Sequence, residues 1–372
     1  MNFLVAMSVN VLVTAAGGIV GQGILKSLKL SNKCGNSSVI YNIFGADMNP
    51  LAAGLYRCNT GIVVPPAQSA DYVEVIIDIC KSKAITGIFV GSDSELLILT
   101  AAKERIEKES GAKVLSGPLE AISIARDKWK TYEFCKANNI HCAESALPQD
   151  RESFTREFGF PIVVKPREGY GSVHFRVVHN MTQIEQAISA IEAEGWHPIV
   201  QRYLADASND SSYRHIGNSS EFTTGITVNN TGKRVMSSVS INKILKSGQT
   251  YKALIDDFPN VRRAAEAAAL RLGATGPINI QTKLEGDLPV IFEINPRFSA
   301  TCPMRAVAGV NEPDIVFRNV LNNENVQIHS YRKLVCIRYI NEVFTSFSSY
   351  EHAINSKQID IDNNDSFIPD YF

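Results

Sequence analysis

Three times within its first 110 residues the chain runs an apolar strand through a turn and into an amphipathic helix. "VNVLVTAAGG" (9–18) precedes the helix "VGQGILKSLKLS" (20–31), and "YNIFGADMNP" (41–50) precedes "DYVEVIIDICKSKA" (71–84). "ITGIFVGSDSE" (85–95) precedes "LLILTAAKERIEKES" (96–110). Parallel neighbours need a crossover between strands, so this rhythm predicts a parallel sheet with helices on both faces. The loops after its strands are where such a sheet holds ligands.

At 372 residues the chain exceeds one ordinary core, so further packed units must follow. An apolar share of 45%, a charged share of 20% and a net charge of −1 describe an ordinary soluble protein. No broad field favours nucleic acid or membrane. The seven cysteines are scattered without a CxxC pair, which argues against a disulfide framework or zinc site and for a reducing cytoplasm. The opening "MNFLVAMSVNVLVTAAGG" has no Lys or Arg ahead of its apolar stretch, so it reads as a buried strand rather than a signal peptide. No other stretch is long and apolar enough to span a membrane.

Near residue 125 the character changes. "ARDKWKTYEFCKANN" (125–139) reads as one basic amphipathic helix. "FGFPIVVKPREGYGSVHFRVV" (158–178) reads as two strands around a glycine loop, followed by a helix (182–195) and an edge-like strand "PIVQRYL" (198–204). Residues 205–220 are polar and turn-rich. "EFTTGITVNNTGKRVMSSVSI" (221–241) is a hairpin turning at "NNTG". The helix "VRRAAEAAALRLG" (261–273) precedes a second hairpin, "GPINIQTKL" and "LPVIFEIN". One strand, "KLVCIRYINEVF" (333–344), and a polar, acidic tail complete the chain.

The residues with chemistry gather at strand ends. In "VIFEINPRFS" (290–299) an apolar strand delivers Glu293 and Asn295 at i and i+2 to one side, and Arg297 at i+4 joins them if the extended geometry persists past Pro296. A carboxylate and an amide oxygen suit a hard cation, and a guanidinium reads anionic oxygens. Taken alone, the set is equally a surface ion pair. In "KPREGYGS" (165–172), Lys165 stands before Gly169 and Gly171, whose backbone N–H groups can turn toward phosphate. A plain hairpin would look the same. "RDK" (126–128) offers Lys128 behind Asp127, itself a natural helix N-terminal acid. "NIQ" (279–281) places Gln281 on the strand expected to pair with that of Glu293. "KSGQT" (246–250) adds Lys246.

This ordered set resembles the ATP-grasp superfamily, and within it the carboxylate–amine ligase branch shared with one half of the carbamoyl-phosphate synthetase large subunit. The resemblance covers about residues 9–325, including "VTAAGGIVGQG" and "GADMNPLAAG". It implies a Rossmann-like α/β opening domain (1–124), an ATP-grasp small lobe with the glycine loop (125–204), a large lobe with a metal site (205–330) and a C-terminal strand and tail (331–372). It further implies that Lys128 and Lys165 hold the triphosphate of ATP while Gly169 and Gly171 close over it. Gln201, Arg202 and Leu204 would lie at the adenine, and Glu221 at the ribose. Gln281, Glu293 and Asn295 would bind Mg²⁺, with Mn²⁺ as the alternative ion. Arg297 would stand beside the transferred phosphoryl group, with Lys246 near the γ-phosphate. Two departures stand out: Arg202 replaces a common acid, and residues 205–220 look inserted. The implied chemistry is amide formation from a small carboxylate and an amine through an acyl phosphate.

Other readings compete. Gly18, Gly21 and Gly23 after a strand, with Asp47 ending the next, fit an NAD(P)-dependent oxidoreductase. Phosphorylation of bicarbonate, as in carbamoyl-phosphate synthesis, needs two phosphorylation sites, which a homodimer would supply. A nucleotide-binding module without catalysis is a third reading. Arg305 is read either as a clamp for a substrate carboxylate or as a partner of Asp314, and His174 and His215 as structural.

Overall fold

The computed structural model describes residues 7–35, 37–169, 171, 173–206, 214–217, 219–360 and 365–368. Its strands are β1 (Met7–Val13), β2 (Val39–Asp47), β3 (Thr60–Val63), β4 (Ile85–Phe89) and β5 (Lys113–Val114), then β6 (Ser145–Ala146), β7 (Ile162–Pro166), β8 (Arg176–Val178) and β9 (Pro198–Arg202). There follow β10 (Glu221–Val228), β11 (Val235–Lys246), β12 (Gln249–Ile255), β13 (Gly276–Glu285), β14 (Leu288–Asn295), β15 (Leu334–Ile337) and β16 (Gln358–Asp360). They form three sheets, ordered β16-β3-β2-β1-β4-β5, β6-β9-β7-β8 and β14-β13-β10-β11-β12-β15.

The opening sheet is parallel from β3 to β5 and has an apolar core on each face, as the alternation predicts. The helix expected at 96–110 is two, Asp93–Ala101 and Lys103–Ser110, and the first is capped by the Ser92 side chain. The polar, acidic tail holds regular structure: helix Phe347–Ser356 leads into β16, which pairs antiparallel with β3 on the opening sheet. The strand expected at 333–344 is only Leu334–Ile337.

A single helix over 125–139 is not formed. Asp127 is extended and splits it into Leu119–Arg126 and Lys128–Ala137. Its carboxylate accepts from the backbone N–H groups of Trp129 and Lys130, the usual service of an N-cap aspartate. Both helices pack on the large six-stranded sheet, with Ala121, Ala125 and Cys135 against Ile278, Ile291 and Ile294. The four strands β6–β9 form a separate sheet, and helix Lys128–Ala137 packs on the large one. Strand β9 is not an edge, since β6 and β7 flank it.

Candidate active site

The sheet of β6–β9 faces the large sheet across a cleft of about 380 Å³. Its walls include Lys128, Lys165, Gly169, Gly171, Gln201, Arg202, Leu204, Glu221, Gln281 and Glu293, all but three of the residues the resemblance singles out. Lys165 ends β7 with its ammonium buried, donating to Gln201 Oε1 at 2.8 Å, while Gln201 donates to Ser145 Oγ. Leu204 is buried beside Ala143, Val290 and Phe292, and its carbonyl accepts from Lys283 at 3.0 Å. Arg202, the departure from the family pattern, is paired with Glu285. Gly171 has φ +64, a conformation glycine adopts without strain, and a Cβ there would meet no neighbour. Tyr170, Ser172, residues 207–213 and Asn218 lie outside the described residues.

The strand that raised the metal question behaves as its spacing predicts. Asn295 Nδ2 donates to Glu293 Oε1 at 2.9 Å, and Arg297 Nη2 donates to Asn295 Oδ1 at 3.0 Å, so the three side chains form one series. Gln281 lies directly opposite Glu293. A register shift follows at once, because Thr282 pairs with Ile291. This bulge lets the successive residues Phe292 and Glu293 both line the cleft, where strict alternation would turn one away.

Three residues were not legible from the motifs. Lys243, buried on β11, pairs with Glu221 at 2.9 Å and donates to Gln281 Oε1 at 2.5 Å. Lys246 is exposed, lies over the Tyr251 ring and is not part of the cleft wall, so the basic residue delivered here is Lys243. Arg167 grips Asp127 through two contacts of 3.1 and 2.5 Å, and its carbonyl accepts from the Lys128 backbone N–H. That joins "RDK" to the glycine loop. Asp93, the first residue of helix Asp93–Ala101, holds Arg297 with two bonds of 3.0 and 2.7 Å. Arg297 is thus committed to a carboxylate of the opening domain.

The electrostatics follow from burial. Desolvation pushes the Lys165 ammonium down to about 7, helped by Lys128 and opposed by Glu293 and Glu221. Burial disfavours the Glu293 carboxylate, yet Lys128, Lys165, the Asn295 hydrogen bond and Arg297 together outweigh it and keep the group below its ordinary range. Among the described residues no three His, Cys, Asp or Glu side chains surround a common metal position. One ionised carboxylate with two amide oxygens nearby fits magnesium only if substrate phosphates complete its shell, which is how that ion is commonly held.

A second cleft of about 350 Å³ opens on the far side of the same residues. It shares Lys128, Gly169 and Glu293 with the first and adds Gln68, Asp93, Ser94, Arg126 and Trp196, so it lies against the opening domain. Arg305 lines neither cleft. It is wholly buried, paired with Glu312 and donating to Thr301 and Ser299 at 2.8 Å each; Asp314 instead pairs with Arg318. Neither expectation for Arg305 holds. His174 bonds Glu194 and His215 bonds the Ser219 carbonyl, both away from the cleft walls. The glycine turn of the opening domain packs on its own 3₁₀ segment Ala53–Arg57, where Gly54 abuts the Ala16 carbonyl. Asp47 accepts from the backbone N–H groups of Gly17 and Asn49. Of the glycines after β1, Gly21 lies against the Ala15 carbonyl and Gly23 faces the Cys302 side chain.

Known proteins resemble this chain in sequence and in fold. Residues 220–343 match the family model described as ATP-grasp in the biosynthetic pathway with Ter operon, and residues 19–115 match the PylC-like N-terminal domain. Carbamoyl phosphate synthase large chains are similar: that of Kocuria rhizophila is 23% identical over 76% of this chain and 26% of its own length. That of Archaeoglobus fulgidus is 26% identical over 53% of this chain and 18% of its own. The chain thus spans about a quarter or less of these relatives. N5-carboxyaminoimidazole ribonucleotide synthetase from Thermus thermophilus superposes with a TM-score of 0.64 at 17% identity, covering 92% of this chain and 86% of that one. Biotin carboxylase from Campylobacter jejuni, solved as a β-γ-ATP complex, gives 0.63 at 16% identity, covering 83% and 70%. Residues 220–343 thus match an ATP-grasp family, and the chain shares the fold of these solved structures. The chain is similar to the carboxylate–amine ligase branch of the ATP-grasp superfamily. Among its described residues no helix is long and apolar enough to cross a membrane.

Proposed function

We propose that this chain is an ATP-dependent ligase that joins a small carboxylic acid to an amine through an acyl phosphate. The observation carrying the reading is that two clefts meet at Lys128, Gly169 and Glu293. ATP would occupy the first, its phosphates running toward Lys165 and Lys128, and the acid would enter from the second. A carboxylate oxygen attacks the γ-phosphorus, the bond to the β–γ bridging oxygen breaks, and ADP leaves. The amine nitrogen then attacks the acyl carbon, loses a proton and expels phosphate.

The protein's part is alignment and charge neutralisation. Lys165, Lys128 and Lys243 would offset phosphate charge, and Glu293, Asn295 and Gln281 would face the magnesium ion that accompanies the nucleotide. Bound there, the ion would polarise the phosphoryl oxygens. Arg297, held by Asp93, orients the Asn295 amide against Glu293.

Hydroxylamine traps acyl phosphates as hydroxamates, so the test is ADP release with Mg²⁺ATP, a panel of carboxylic acids and hydroxylamine. Acid-dependent ADP release matched by hydroxamate is expected. ATP binding without acceleration by any acid would remove the ligase reading. The carbamoyl phosphate synthase relatives favour bicarbonate as a second candidate acid. ADP release driven by bicarbonate alone would select it.

A further inference from the structure

We infer that the acid taken by the second cleft carries an additional anionic group, and that Arg126 reads it. This rests on the ligase reading above, in which Lys128 and Glu293 are committed to the nucleotide and its metal.

Arg126 lines the second cleft, is half-buried, and has no hydrogen-bond or ion-pair partner among the described residues. The other cations around the two clefts are spoken for. Lys165 has Gln201, Lys243 has Glu221, Lys283 has Asp206, and Arg297 has Asp93. The arginine's place in the last turn of helix Leu119–Arg126 favours a positive charge through the helix dipole. That interaction leaves five planar N–H donors unmatched, and a guanidinium withdrawn from water calls for a carboxylate or phosphate in fork geometry.

The remaining walls agree. Asp93 is neutralised by Arg297, and Gln68 and Ser94 are uncharged. Trp196 closes one side with a third of its surface exposed. With a divalent ion at Glu293 the cleft has a net positive interior, and its about 350 Å³ suits a small molecule. The reacting carboxylate would sit at the Lys128–Glu293 end, leaving Arg126 to the second anion.

The chain has two tryptophans, Trp129 and Trp196, so Trp129→Phe leaves one reporter, in the second cleft. With ADP·Mg²⁺ saturating the first cleft, Trp196 fluorescence is titrated with butanoate, succinate and 3-phosphonopropionate, which share a two-carbon spacer. Binding of ADP·Mg²⁺ is measured separately by calorimetry. Succinate or 3-phosphonopropionate should bind at least about tenfold more tightly than butanoate, the size of one charge-assisted pair. The tighter of the two names the second anion as carboxylate or phosphate. In the Trp129→Phe background Arg126→Ala should bring that ratio close to one without altering ADP affinity, and Arg126→Lys should restore part of it. Equal binding of all three acids, no response to any, or a ratio unchanged by Arg126→Ala overturns the inference. Failure of ADP itself to bind overturns the ligase reading instead.

Discussion

The depressed Lys165 ammonium makes nucleotide binding a proton-coupled event. With its titration point near 7, Lys165 at pH 8 carries its proton in only about one molecule in ten. Phosphate oxygens beside it favour the charged form. Binding of ADP·Mg²⁺ at pH 8 should then take up about 0.9 proton per site, and at pH 6 only about 0.1. Calorimetry in buffers of different ionisation enthalpy reads this directly. Lys165→Met should abolish the uptake and weaken binding by about 1.5–3 kcal/mol, the worth of a hydrogen bond to a charged group.

Stability moves with the same group. The unfolded chain keeps the Lys165 proton up to 10.5, while the folded chain loses it near 7. Between those values the unfolded state binds more protons, so the unfolding free energy rises with pH; below 7 the burial cost is constant and at its full size. The shift corresponds to about 5 kcal/mol, so the stability of Lys165→Met relative to the parent should fall by about 3 kcal/mol between pH 7 and 9.5. Urea unfolding at several pH values measures it. A stability difference independent of pH, together with proton uptake equal at pH 6 and 8, would refute the desolvation argument.

Two contrasts test the remaining geometry. Lys243→Ala should cut ATP turnover by about a hundredfold or more, since it removes a positioned cation and strands Glu221 and Gln281, whereas Lys246→Ala should cost less than about threefold, as befits an exposed charge; steady-state ADP release compares them. Arg305→Ala leaves Glu312 buried without its partner, so unfolding by denaturant should show a loss of about 3–5 kcal/mol.

One part of the candidate site follows from strand periodicity, and the rest from the resemblance of the ordered motifs. Glu293, Asn295 and Arg297 share a side because side chains alternate along a strand, and the structure links them in the order in which they stand. Lys165 and the glycines are legible only through the ordered set of motifs, since a plain hairpin would look the same from those residues alone. Lys243 escaped for a definite reason. Extrapolating the hairpin from its Val228–Val235 pair would set Glu221 opposite Asn242, but a bulge after Thr227 moves the register by one and brings Lys243 there. A one-residue bulge leaves no signature in composition.

Asp93 and the second cleft lay further beyond reach. Asp93 at the start of its helix and Arg297 just past β14 are separated by some two hundred residues, and only packing of the opening domain against the large sheet brings them together. The same holds for Arg167 and Asp127, and for Arg305, whose partner was decided by which acid the fold buries beside it. Local periodicity and turn chemistry determined the strands, the glycine loop and the face of the metal-like series, because these depend on near neighbours. Register, domain packing and burial decided which charges meet and which stay unpaired, because Coulomb and desolvation energies depend on distance in space and not along the chain.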